Sequence, residues 1–225
     1  MAVACREVDI SLDKSAILRS MGYGADAEPS ARVVSLIDEY VREIEQLLEP
    51  SYTYVVRNVM AVKGARVLAE GPAVFESRVV SKLLGGCRQV GVFVATIGGR
   101  LEEMACRLAD EGLMLQASVL DAIGSEAVSK VAEFAERLMG WEAAMDGLVT
   151  SRRFSPGHCD WDISQQMMVF HTVDRDSTDV HLTESCLMVP RKSISGIVGM
   201  GDPESGANAF NPCPSCDRTD CPGRR

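Results

Sequence analysis

The run Arg152-Arg153-Phe154-Ser155-Pro156-Gly157-His158-Cys159-Asp160-Trp161-Asp162 crowds guanidinium, imidazole, thiol and carboxylate groups into one short stretch. Adjacent Pro and Gly force a loop there and release backbone groups from regular pairing. Such a loop suits a small polar ligand: Arg clamps a carboxylate with two parallel hydrogen bonds, and the freed backbone reads an adenine or a ribose. The plain alternative is a surface loop with Trp161 docked in the core. A metal site on His158, Cys159 and Asp160 is a weak idea, because consecutive residues rarely converge on one ion.

The second group with chemistry is the cysteines, eight in all. Cys5, Cys87, Cys106, Cys159 and Cys186 are scattered, whereas Cys213, Cys216 and Cys221 form C-x2-C-x4-C beside Pro212, Pro214 and Pro222. That spacing allows three thiolates on one ion or cluster, with Cys186 as the candidate for the fourth position. Zinc would make the tail a structural clasp and an iron–sulfur cluster would make it redox-active; ligand softness does not separate them. An uncoordinated, frayed tail is the alternative. Thr96-Ile97-Gly98-Gly99 before a helical stretch could bring a nucleotide to a helix N-terminus. It lacks the G-x-G-x-x-G spacing, and a tight strand-to-helix connection explains the glycines as well. His171 and His181 stand alone, and Met167-Met168 read as packing residues.

The elements that must position these groups are legible from periodicity. Val33, Ile37, Tyr40, Ile44 and Leu47 follow helical spacing up to Pro50. Tyr52-Thr53-Tyr54-Val55-Val56 is β-branched and aromatic, as a strand requires. Residues 79–84 read as a helix ending at Gly85-Gly86, residues 89–96 as a central strand, and residues 100–139 as helical with a break at Gly112. Residues 164–173 form a short helix, and strands are expected around 180–183 and 193–198. The pattern predicts an α+β fold: a single domain with long helices packed on a mainly antiparallel, twisted sheet. Residues 1–208 form the domain and residues 209–225 a cysteine-rich metal- or cluster-binding tail.

Composition excludes several classes. With 46% hydrophobic and 24% charged residues the chain has the material for a packed core. A net charge of −9 and few aromatics argue against nucleic acid, whose binding needs Lys and Arg to displace counterions. The apolar run around Gly91-Val92-Phe93-Val94-Ala95 is far short of the ~20 residues that cross a bilayer, so no membrane partner is expected. Charges at Arg6, Glu7 and Asp9 interrupt any secretory signal, which points to the cytoplasm and to reduced thiols.

Arg153-Phe154-Ser155-Pro156-Gly157-His158, then Leu182-Thr183-Glu184-Ser185, then Ser193-Ile194-Ser195-Gly196 resemble, in the same order, the R-x-x-x-G-Y loop, L-T-E-S segment and S-V-S-G strand of the activation domain of cobalamin-dependent methionine synthase. The resemblance is clearest over residues 120–200. It implies an S-adenosylmethionine site for reductive reactivation of a corrinoid: cob(II)alamin takes one electron and the sulfonium methyl traps it as methylcob(III)alamin. By that resemblance Arg153 holds the methionyl carboxylate, Ser155 and Gly157 read the adenosyl part, His158 stands in the place of the loop tyrosine, and Glu126 offsets the ligand's positive charge. No aromatic stands at Ile197-Val198, where the family has a further tyrosine, and residues 1–60 show no match to the family's N-terminal acidic ligand.

The resemblance therefore implies a methyltransferase-type reactivation component with cobalamin carried by a partner, either a corrinoid-binding protein or a methionine synthase core, and with a reduced electron donor. No residue is assigned as a catalytic acid or base, since the cofactors carry the hard chemistry. An iron–sulfur electron-transfer activator of a corrinoid protein, or a non-catalytic zinc-clasped adaptor for a corrinoid methyltransferase, are the rival expectations.

Overall fold

The computed structural model describes residues 3–5, 8, 10–24, 27–71, 73–174 and 177–216. Its hub is the long strand β2 (Ser51–Lys63), whose β-branched and aromatic residues suit a pleated, half-buried surface. On one side β2 pairs with β5 (Cys87–Thr96), from Ser51↔Thr96 to Asn58↔Gln89. Its other edge is shared by β1 (Val3–Cys5) near Tyr54 and by β3 (Arg66–Ala69) near Val59. The sheet continues through β4 (Ala73–Glu76) beyond β3, and through β9 (Ser193–Gly201) and β6 (Val149–Thr150) beyond β5; every pairing is antiparallel. A separate two-stranded hairpin joins β7 (His181–Leu182) to β8 (Met188–Val189).

Strand β5 does not alternate because both of its faces are covered. Phe93 and Ala95 enter one core with Ile17, Leu36, Leu101, Leu120 and Ile123, while Val92 and Val94 enter another with Phe75, Val80, Trp161 and Phe170. The first core lies under α1 (Lys14–Ser20), α2 (Ala31–Glu43), α4 (Arg100–Asp110) and α5 (Met114–Met145); the second lies under α3 (Arg78–Leu84) and α6 (Gln166–Val173). Each fully buried Val or Phe at this centre contributes about 1.5–3 kcal/mol.

Local signals set the helix boundaries. Ser30 Oγ accepts from Val33 N–H at the start of α2, and Ser77 Oγ accepts from Val80 N–H at the start of α3. Gly112, at φ 79°, separates α4 from α5 where the sequence predicts a break. Helix α5 runs for 32 residues and lays Leu120, Ile123, Ala127, Val131 and Ala135 on the sheet. Gly124 lets α4 pack closely against it: a Cβ there would stand 2.7 Å from Leu101 Cδ2.

The α+β architecture with an antiparallel sheet is as the pattern predicts. The predicted strand at 52–56 is the buried half of a longer β2, and the hairpin β3–β4 has no counterpart in the sequence expectations. Among the described residues no helix is long and apolar enough to cross a membrane.

Candidate functional site

Strand β9 carries the site because β5 occupies only one of its edges. Along the other runs the segment 151–155: Phe154 and Ile197 exchange two backbone hydrogen bonds of 2.9 Å, and Ser151 N–H donates to Gly199 O at 2.8 Å. This approach requires Gly196, where a Cβ would lie 2.6 Å from Phe154 O and 3.0 Å from Ser155 Oγ. The chain then turns at Pro156-Gly157, with Gly157 at φ 90°. Gly157 N–H donates to Trp161 O at 2.7 Å and Trp161 N–H to His158 O at 3.0 Å, which closes the loop on itself.

Trp161 fixes this loop to the second core. It is 1% exposed, stacks on Phe154 at 5.8 Å and meets the ring of Phe75 edge-on. Asp160 ties the loop to the first turn of α3: its carboxylate accepts from Ser77 Oγ at 2.7 Å, Arg78 N–H at 2.8 Å and Val79 N–H at 3.2 Å. Partial burial by itself would raise the Asp160 pKa, but these hydrogen bonds outweigh it and hold the group below the ordinary carboxylate value. Asp162 caps the next turn by accepting from Ser164 N–H at 2.8 Å, and its pKa is also lowered, by hydrogen bonding from Ser164. Both carboxylates of the loop are thus structural.

Beside the turn opens a cleft of about 520 Å³. Arg153, Ser155, Pro156 and His158 line it together with Met188, Arg191, Ser193 and Ile194. Ser195 Oγ donates to the side-chain oxygen of Gln166 at its base. Arg153, half-buried, donates to Glu136 of α5, and Arg191 lies 3.8 Å from Glu102 of α4 with its own N–H on the same carboxylate at 2.9 Å. Two guanidiniums, hydroxyls and apolar walls together suit a zwitterionic ligand with a flat ring, and the volume falls in the range of small-molecule sites.

No family model matches the sequence, and no curated protein matches it. Among solved structures, the MetH reactivation domain bound to AdoHcy superimposes with a TM-score of 0.66 and 14% identity, over 84% of this chain and 73% of that one. The chain has the fold of a MetH reactivation domain. At that identity the likeness carries the architecture alone.

Within this reactivation fold, Arg153, Ser155 and His158 line the cleft, and Gly157 forms the turn between them. Glu126 is elsewhere: it is buried on α5, is not on the cleft wall, and has Lys130 Nζ at 3.3 Å from its Oε1. That contact is an ion pair without hydrogen-bond alignment, since Oε1 has no aligned donor. Lys130 is raised above its ordinary pKa, first by its hydrogen bond to Glu133.

The L-T-E-S segment builds the turn between β7 and β8. Cys186 N–H donates to Thr183 O and Thr183 Oγ1 accepts from Leu187 N–H, which places Leu187 and Met188 at the cleft. Cys186 itself is buried in that turn. Cys213 and Cys216 flank a 3-10 turn in which Cys216 N–H donates to Cys213 O at 3.3 Å; Cys221 lies outside the described residues. Among the described residues no group of three or more His, Cys, Asp or Glu side chains stands arranged to hold a metal ion.

The glycine turn at 97–99 is a tight connection. Gly98, at φ 75°, lies under the Glu49 side chain, and the adjoining hollow is lined by Glu49 and Asp179, whose charges repel a phosphate. His171 and His181 are exposed and do not line the cleft. Sequence reasoning missed Arg191, which follows Pro190 in what reads as a connector, and Gln166, whose pairing with Ser195 is visible only in three dimensions.

Proposed function

We propose that the chain binds S-adenosylmethionine in the cleft at the 153–158 turn and uses it to reactivate a corrinoid protein by reductive methylation. What carries this is an open cleft of ligand size walled by the arginine, serine and histidine of that turn. The fold shared with a reactivation domain whose solved structure holds AdoHcy supports it.

Arg153 and Arg191 offer the charge for the ligand's carboxylate, Ser155 and the Gly157 backbone read the adenosyl group, and His158 closes the end of the cleft. Glu126, buried on α5 and outside the residues that line the cleft, acts on the sulfonium through its field rather than by contact. When bound, the ligand supplies a methyl group on positively charged sulfur, and a partner-held cobalamin, given one electron by an external donor, accepts it to yield methylcob(III)alamin and S-adenosylhomocysteine. The residues of this chain hold and orient the ligand and exclude water around it. No proton is transferred, so no general base is needed, and His158 Nδ1 stays 3.2 Å from Ser155 O.

On this reading residues 1–208 are the ligand-binding domain and residues 209–225 a metal-binding tail, working in the cytoplasm with a corrinoid protein or methionine synthase core. The test combines the pure protein, a cob(II)alamin-loaded corrinoid protein, a one-electron reductant and S-adenosylmethionine under anaerobic conditions. One S-adenosylhomocysteine released per methylcobalamin formed, dependent on this chain, supports the proposal. No S-adenosylhomocysteine above the rate without the chain refutes it.

A further inference from the structure

Gln166 lines the cleft and has no part in the function proposed above. It opens α6, is 3% exposed, and has its side-chain oxygen held by the hydroxyl of Ser195, itself 2% exposed on β9. A carboxamide carries one acceptor oxygen and two N–H donors, and its neighbours decide which way round it sits. Ser195 fixes that choice: a hydroxyl proton given to Oε1 leaves Nε2 with both of its protons. Among the described residues no acceptor meets Nε2, and the atom is not sealed off from solvent.

The other buried polar side chains of the cleft are already engaged. Ser193 has one hydroxyl proton and lies 2.7 Å from Pro190 O and 2.9 Å from Thr96 Oγ1, and the Ser195 proton goes to Gln166. The donors that buried side chains offer a ligand here are therefore those of Gln166. They enter from a different element than the charge does. Arg153 and Arg191 are tied to Glu136 on α5 and Glu102 on α4, under the first core, whereas α6 covers the second. Ile163, one turn before Gln166, lines the cleft with it, as does Leu187, and Ile163 Cδ1 lies 3.4 Å from where a Cβ on Gly157 would stand. An N–H donor in apolar surroundings beside that turn suits the edge of a flat heterocycle, where a ring nitrogen with a lone pair accepts the bond.

We propose that Gln166, oriented by Ser195, sets the specificity of the cleft by donating from Nε2 to a ring nitrogen of adenine. This rests on the S-adenosylmethionine reading above and deepens it: Ser155 and Gly157 hold the nucleoside at the turn, and Gln166 tells an adenine from a ring without that acceptor. Ser195 is a positioning residue, since it acts through the carboxamide. With no ring acceptor the Gln166 donor is left unpaired in a nearly buried place, which costs more than the same bond lost in water.

The test titrates S-adenosylhomocysteine and its 1-deaza, 3-deaza and 7-deaza analogues, in each of which a C–H replaces one ring nitrogen, into the full chain by calorimetry. Wild type should bind one of the analogues about tenfold or more weaker than the parent, and the others within about threefold of it. Gln166→Met, similar in length and apolar, should bind the parent about tenfold weaker and treat parent and that analogue alike. Ser195→Ala lets the carboxamide turn over, so it should narrow the preference, and added to Gln166→Met it should change neither affinity further. A merely structural Ser195 would lower both affinities in either background. Equal binding of all these ligands by wild type, or a Gln166→Met protein that still discriminates, overturns the inference and leaves S-adenosylmethionine binding standing. No binding of the parent by wild type overturns both. The wild-type comparison needs no variant, so it decides the matter whether or not Gln166→Met folds.

Discussion

Replacing Asp160 by Ala removes the joint between the loop at the cleft and α3, and its cost can be worked from the contacts. The carboxylate accepts two backbone N–H groups, of Arg78 and Val79, and the Ser77 hydroxyl. Hydrogen bonds to a charged acceptor contribute about 1.5–3 kcal/mol each when water cannot replace them. Water can reach Arg78, and the Asp160 side chain is 28% exposed, so only the contacts to the buried Val79 and Ser77 keep much of that value. The exposed Arg78 pair at 3.4 Å adds almost nothing, and the charge at the helix N-terminus adds roughly 0.5 kcal/mol. The expected loss is ~2–3 kcal/mol, which for a chain of this size lowers the melting temperature by about 5–10 °C. Urea unfolding at neutral pH, with calorimetry, measures it. Because the folded pKa is depressed, the stabilisation is present above the unfolded value and vanishes as pH falls through the folded one. Wild type and variant should therefore converge in strong acid. A loss below about 0.5 kcal/mol at neutral pH would refute the capping account.

Arg153→Ala should weaken S-adenosylmethionine binding by ~1–3 kcal/mol, less than for a fully desolvated contact because Arg153 is half-exposed and shared with Glu136; calorimetric titration reads it, and unchanged affinity removes Arg153 from the site. Gly196→Ala places a methyl group against Phe154 O and should cost about 1–3 kcal/mol in thermal unfolding while pushing the 153–157 segment off β9; an unaltered melting temperature would show that the segment is free to shift.

The parts of the fold legible in sequence are those with a local cause. Pro156-Gly157 compels a loop, Gly112 breaks a helical pattern, and the apolar run through Phe93 is central because nothing polar interrupts it. The hairpin β3–β4 was not legible: Arg66-Val67-Leu68-Ala69 alternates over too few residues to stand out, although Val67 is fully buried. At the site, Arg153, Ser155 and His158 were legible because one loop carries them. Arg191 and the Ser195–Gln166 pair join segments distant in the chain, and no local pattern records such contacts. The placement of Glu126, buried on α5 beside Lys130 and outside the residues that line the cleft, was likewise not recorded by its position in a helical run.

The most direct measurement is an equilibrium titration of S-adenosylmethionine and S-adenosylhomocysteine into the wild-type chain and into Leu187→Trp, which fills the cleft from a position 57% exposed and so spares the core. The account predicts one site per chain for both ligands, with affinity in Leu187→Trp weakened by about tenfold or more, equivalent to ~1.4 kcal/mol. No binding by wild type at millimolar ligand, or equal binding by the two proteins, would contradict it.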